Sequence, residues 1–163
     1  MDLYFRDNFF NAGVTEILNE HEDHVGHLDL KSAFGSSISV YGPKAQLIYN
    51  GRFPFLFSNK WEVTGEDGEL VGVLRRRITF FIKKFTYETH KGDIYDIISP
   101  AFSREYEISN ESGALIAYFQ QISGWFSPGA FHLVNQSETL DSYELVAVIL
   151  GMHAIQKRQR SAG

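Results

Sequence analysis

The sequence predicts an all-β fold with one helix: a closed antiparallel barrel of about twelve strands around a buried hydrophobic C-terminal helix. Three observations carry this expectation. A stretch near the C-terminus is apolar on every side. The chain before it reads as short strand–turn–strand units at a nearly constant spacing. The composition is rich in aromatics, with 14 Phe and 8 Tyr, residue types that favour the pleated, half-buried surface of a sheet.

The helical stretch is DSYELVAVILGMHAIQKRQR, Asp141 to Arg160. Leu145, Val146, Ala147, Val148, Ile149 and Leu150 would point in every direction around a helix, and a helix apolar all round is buried on all sides. Asp141 with Glu144 three residues on resembles a capping box, and Lys157, Arg158 and Arg160 place cations at the other end. The apolar run, Leu145 to Ile155, is shorter than the roughly 20 residues a membrane span needs. It reads as a core helix over about 141–158.

Between Val14 and Val134 the period-2 segments Ser37–Val40, Lys60–Thr64 and Glu105–Ser109 read as strands. Val63 leads into the turn Gly65-Glu66-Asp67-Gly68 and Ile108 into Asn110-Glu111-Ser112-Gly113, and Tyr87 leads in the same way into His90-Lys91-Gly92-Asp93. An apolar residue stands five positions before a turn residue in Val63/Gly68, Tyr87/Gly92 and Ile108/Gly113, and without glycine in Leu18/Asp23 and Val40/Ala45. Positions 18, 40, 63, 87 and 108 are 22, 23, 24 and 21 residues apart. A sixth unit at Leu133 would make six hairpins, hence twelve strands. Ile78–Ile82 and Leu115–Phe119 read as strands apolar on both faces. Twelve strands enclose more space than their own side chains fill, and the apolar helix supplies the filling. A single domain over 1–163 follows, with the barrel over about 1–140.

Hairpins followed by one hydrophobic helix resemble the tubby C-terminal-like superfamily, which includes phospholipid scramblases and LURP-one-related proteins. The units Trp61–Gly72 and Tyr106–Ala117 carry the resemblance. The opening Leu3–Phe10 and the segment His24–Phe34 are most similar to small bacterial members of the YxjI type. The resemblance implies a twelve-stranded barrel around a central helix and a link to phosphoinositides or other membrane lipids. It supplies no position-by-position match to the tubby phosphoinositide-binding residues and no scramblase calcium loop.

The chemistry the sequence offers is sparse. It has no cysteine, which removes disulfides and thiolate sites. There is no nucleophile elbow, phosphate-binding lysine loop or metalloprotease motif, so no enzyme, no cofactor and no metal site are expected. His21, His24 and His27 read as a solvated turn whose alternation sends side chains to opposite faces, and His153 as a core histidine. The net charge of −5 argues against nucleic acid and opposes an anionic surface. The N-terminus lacks a secretory pattern, giving the expectation of a cytoplasmic protein, peripheral to the membrane. The head-group candidates are Arg75, Arg77, Lys83 and Lys84, flanking one apolar strand. Trp125 and Phe126, in a Gly/Pro-bounded loop, are the candidates for membrane contact. The expected partner is an anionic phospholipid or membrane surface; the alternative is a protein partner, with the chain as an adaptor.

Overall fold

The computed structural model describes residues 1–6, 13–31, 37–100, 103–122 and 130–163. Its strands are β1 (Asp2–Arg6), β2 (Gly13–Leu18), β3 (His24–Leu30), β4 (Ser37–Tyr41), β5 (Leu47–Arg52) and β6 (Lys60–Gly65). They continue with β7 (Leu70–Arg77), β8 (Ile82–Thr89), β9 (Ile94–Pro100), β10 (Glu105–Ser109), β11 (Leu115–Ile122) and β12 (Ala130–Asn135). Every strand pairs antiparallel with its sequence neighbours, and β1 pairs with β12 to close the barrel. Closure leaves no unpaired edge. The expected architecture is the observed one.

The repeat has a backbone basis. In five hairpins one residue donates its N–H to the carbonyl four positions on and accepts from the N–H three positions on. These residues are Asn19, Gly42, Gly65, Thr89 and Asn110. The residue three positions on takes a positive φ: Glu22 (63°), Ala45 (58°), Gly68 (82°), Gly92 (94°) and Gly113 (81°). Glycine meets that requirement without steric cost at three of these turns. Two positions before each turn, Ile17, Val40, Val63, Tyr87 and Ile108 all point inward and are fully buried. The first unit is therefore anchored on Ile17, one residue earlier than Leu18. The spacing of five thus holds for Ile17 and Glu22, and the Leu18/Asp23 reading is one residue out of frame. At Leu133 the pattern ends differently. Asn135, in the turn-opening position, donates from Nδ2 to the Leu140 carbonyl and to Ser142 Oγ, sending the chain into the helix.

The helix α1 spans Ser142–Ala162, four residues beyond the expected end near 158. Asp141 caps it, its Oδ1 accepting from the N–H groups of Tyr143 (2.8 Å) and Glu144 (3.2 Å). The reciprocal half of a capping box is absent, because the Glu144 side chain turns into the barrel. Leu145 through Leu150 are buried around the whole circumference, with Met152, Ala154 and Ile155 after them. The helix threads the barrel from end to end. Tyr143 near its start donates to the Val25 carbonyl, and Arg158 near its finish donates to the carbonyls of Leu56 and Ser58.

Trp61 keys the helix to the wall. Its ring is fully buried, edge-on to Phe53, and lies between Gly51 of β5 and Gly151 of α1. A Cβ on Gly151 would stand 2.3 Å from the indole, and one on Gly51 2.6 Å. The strand expected over Ile78–Ile82 is not one. Residues 78–81 connect β7 to β8, and only Ile82 is in a strand. Both flanking strands carry polar residues at their ends, so the apolar stretch is the connection itself, while Leu115–Phe119 does lie in β11.

If Trp61 seats on bare backbone, Gly151→Ala should destabilise despite the roughly 1 kcal/mol that alanine contributes in a helix interior. Overpacking costs about 1–3 kcal/mol, so a net loss of order 1 kcal/mol is expected in denaturant unfolding. A raised midpoint would show that the indole does not sit there.

Candidate functional site

The connections alternate between the two barrel ends, and charge follows them. The five tight turns share one end with the start of α1. They carry Glu20, Glu22 and Asp23, then Glu66, Asp67 and Glu69, then Asp93 and Glu111. Lys44 and Lys91 are the basic residues among these turns. At this end an open groove of about 870 Å³ runs past Tyr49, Val71, Tyr95 and Leu140 to Asp141 and Glu144. Behind the groove wall Tyr87 Oη donates to Glu144 Oε1 at 2.6 Å, both side chains buried. Desolvation pushes the Glu144 carboxyl up to about 7, against the Tyr87 hydrogen bond, which favours the carboxylate; Asp141 adds to the rise and Lys91 opposes it. Burial, with Glu144 behind it, raises the Tyr87 phenol far above its usual range.

The opposite end collects the cations. The β7–β8 register sets Arg77 beside Lys84, Arg76 beside Phe85 and Arg75 beside Thr86. Alternation sends Arg75, Arg77 and Lys84 to the outer wall. Arg75 lies 3.6 Å from Glu88, Lys84 3.0 Å from Asp96, and Arg77 donates to Thr86 Oγ1. Lys83 turns instead toward the barrel mouth, donating to the Ser103 carbonyl above the Tyr106 ring. Arg76 reaches Gln159 of α1 at the same mouth. The four sequence candidates are therefore neighbours split between wall and mouth, with Arg52, Lys60, Arg158 and Arg160 around them.

Two connections at this end display apolar side chains. In the β5–β6 connection Phe55 is 64%, Leu56 74% and Phe57 89% exposed; in the β7–β8 connection Ile78 is 94%, Phe80 95% and Phe81 84% exposed. The first is a built loop. Ser58 N–H donates to the Phe55 carbonyl, Ser58 Oγ to the Lys60 carbonyl, and Arg158 clamps Leu56 and Ser58 from the helix while stacking 3.4 Å above Phe53. Sequence reasoning missed both. For the second, the available signal was two cationic runs bracketing the five residues Ile78–Ile82, a spacing that suits a hairpin connection as well as a strand.

Trp125 and Phe126 lie outside the described residues. The register shift beside Gly26 brings the His24 and His27 rings to 6.5 Å centroid separation, rather than to opposite faces, with His27 stacked on Tyr41. His21 lies in the turn near Glu20. Among the described residues no cluster of three or more His, Asp or Glu side chains could hold a metal ion. His153 packs edge-on against Phe131. No helix among the described residues is long and apolar enough to cross a membrane.

No protein-family model matches the chain, and comparison with curated proteins finds no match. Among solved structures, the X-ray structure of a protein from Arabidopsis thaliana is similar in fold, with a TM-score of 0.65 at 11% identity. The likeness covers 95% of this chain and 90% of that one.

The buried carboxyl makes stability depend on pH. Below about pH 4.5 folded and unfolded chains both hold the Glu144 proton and its contribution is complete. Between 4.5 and about 7 the folded state alone holds it, so stability falls as pH rises, then levels off. The full swing is of order 3 kcal/mol, at 1.36 kcal/mol per pH unit. Glu144→Gln should flatten the profile over that window in denaturant titrations, and an unchanged slope would remove Glu144 as its source.

Proposed function

We propose that this chain is a non-catalytic module of the tubby-like kind that docks on an anionic membrane surface with its basic end. The observation that carries the reading is the segregation of charge along the barrel axis. The fold likeness over nearly the whole chain and the helix-filled barrel support the tubby-like part. The helix takes the place in the lumen that a carried ligand would need.

Segregation removes the objection raised by the net charge of −5. A 21-residue helix is about 31 Å long at 1.5 Å per residue. Screening at physiological salt acts over about 8 Å. A membrane touching the cationic end is thus several screening lengths from the acidic turns. Each basic residue near an anionic surface contributes about 1 kcal/mol, so Arg75, Arg77, Lys83 and Lys84 would together give roughly 4 kcal/mol, a millimolar-range association. Part of that is spent where Glu88 and Asp96 already neutralise Arg75 and Lys84. Arg76 and Arg158 add to the same end.

Co-sedimentation with phosphatidylserine-containing vesicles, compared with neutral ones, is the direct test. Binding should fall with salt and with Lys83→Glu plus Lys84→Glu. Glu66→Lys plus Asp67→Lys at the far end should change it little, although it shifts the net charge by the same amount in the opposite sense. Wild-type protein that ignores anionic vesicles even at low salt would sink the membrane reading. The adaptor function, with a protein partner in place of the lipid, would then stand.

A further inference from the structure

Six large apolar side chains on two neighbouring connections are 64–95% exposed, with no cover among the described residues. Solvent-exposed contiguous apolar patches are uncommon on soluble domains and mark interaction surfaces. Loop strain does not account for them at the β5–β6 connection. There the backbone is fixed by its own turn and by Arg158, while Phe55, Leu56 and Phe57 point outward. The β7–β8 connection sits beside it, since Lys60 opening β6 pairs with Arg75 near the end of β7. Its Ile78, Phe80 and Phe81, together with Phe57, are the most exposed large apolar residues among those described.

We propose that these two loops are the membrane-inserting edge of the protein, entering the head-group and acyl boundary of an anionic bilayer with the barrel standing end-on. This deepens the membrane reading above and rests on it. Charge selects the occupant. Arg52, Lys60, Arg76, Arg77, Lys83 and Arg158 surround or directly follow the loops. Apolar tips ringed by cations match a surface with phosphates outside and hydrocarbon within. A second copy of this chain would bring the same cations face to face. Insertion to the shallow depth typical of interfacial elements, about 5–10 Å, suits loop tips. It also supplies the second contribution that stable attachment requires beyond charge alone.

The test uses loop variants of the full chain on phosphatidylserine-containing vesicles. Phe55→Ser with Phe57→Ser, and separately Phe80→Ser with Phe81→Ser, should each lower vesicle partitioning about tenfold or more. Their unfolding midpoints should stay at the wild-type value, because the replaced side chains are already in water. The effect should persist at high salt, where the lysine-to-glutamate variant no longer differs from wild type. The cysteine-free sequence permits a polarity-sensitive dye at Asn59→Cys beside the first loop and at Ser112→Cys in an acidic-end turn. Vesicle-borne quenchers should reach the dye at 59 and not at 112. Binding that salt abolishes, with loop variants equal to wild type and no quenching at 59, overturns insertion and leaves the electrostatic docking standing. Absence of any binding to anionic vesicles at low salt overturns both. A dimer in sedimentation equilibrium that the serine variants dissociate assigns the loops to self-association and overturns the proposal.

Discussion

The constraint on which everything else depends is that twelve strands enclose too much space for their own side chains. A barrel of about eight strands fills itself; a wider one leaves a lumen. Here the lumen is occupied by α1, whose side chains from Leu145 to Leu150 face strands in every direction. Each part buries the apolar surface of the other. The empty barrel would expose its inner wall to water, and the free helix would expose an apolar surface with no polar side. Their interlock is shape-specific, because the widest inward side chain, Trp61, requires bare backbone at both Gly51 and Gly151.

The same interlock fixes the two ends. The short turns are nearly identical, because each inward anchor must be followed by the same two-hydrogen-bond reversal to bring the next strand back at the right stagger. Uniform turns leave no room for variation at the end where the helix enters. At the other end the β5–β6 and β7–β8 connections do not share that reversal, and both extend outward with apolar tips. Loops free of a packing role are where binding residues accumulate on a rigid scaffold.

Much of the architecture was legible in the sequence. The apolar-all-round helix and the hairpin spacing were enough to give the barrel, its strand number and its filling. Details failed where tertiary geometry decides. Ile17 rather than Leu18 anchors the first hairpin: both are apolar, and without a turn glycine nothing in the sequence marks Glu22 rather than Asp23 as the positive-φ position. Glu144 was read as half of a capping box, but the barrel mouth offers it Tyr87 instead. Ile78–Ile82 looked like a strand because hydrophobic content alone cannot tell a buried ladder from an exposed connection. Of the candidate site, the cationic residues were found individually, yet which end they share depends on the alternation of connections.

That alternation also gives the net charge its meaning. The partial positive charge of a helix N-terminus favours nearby anions, and its C-terminus favours cations. In this molecule the helix begins among the acidic turns, capped by Asp141, and ends among Arg76, Arg158 and Arg160. Surface charge and helix dipole thus oppose one another favourably at both ends. A formal −5 averaged over the surface describes neither end. Because one rod of backbone sets the spacing between them, an approaching charged surface experiences the sign of whichever end it meets. The barrel that buries the helix therefore also separates the charges that decide how the molecule can dock.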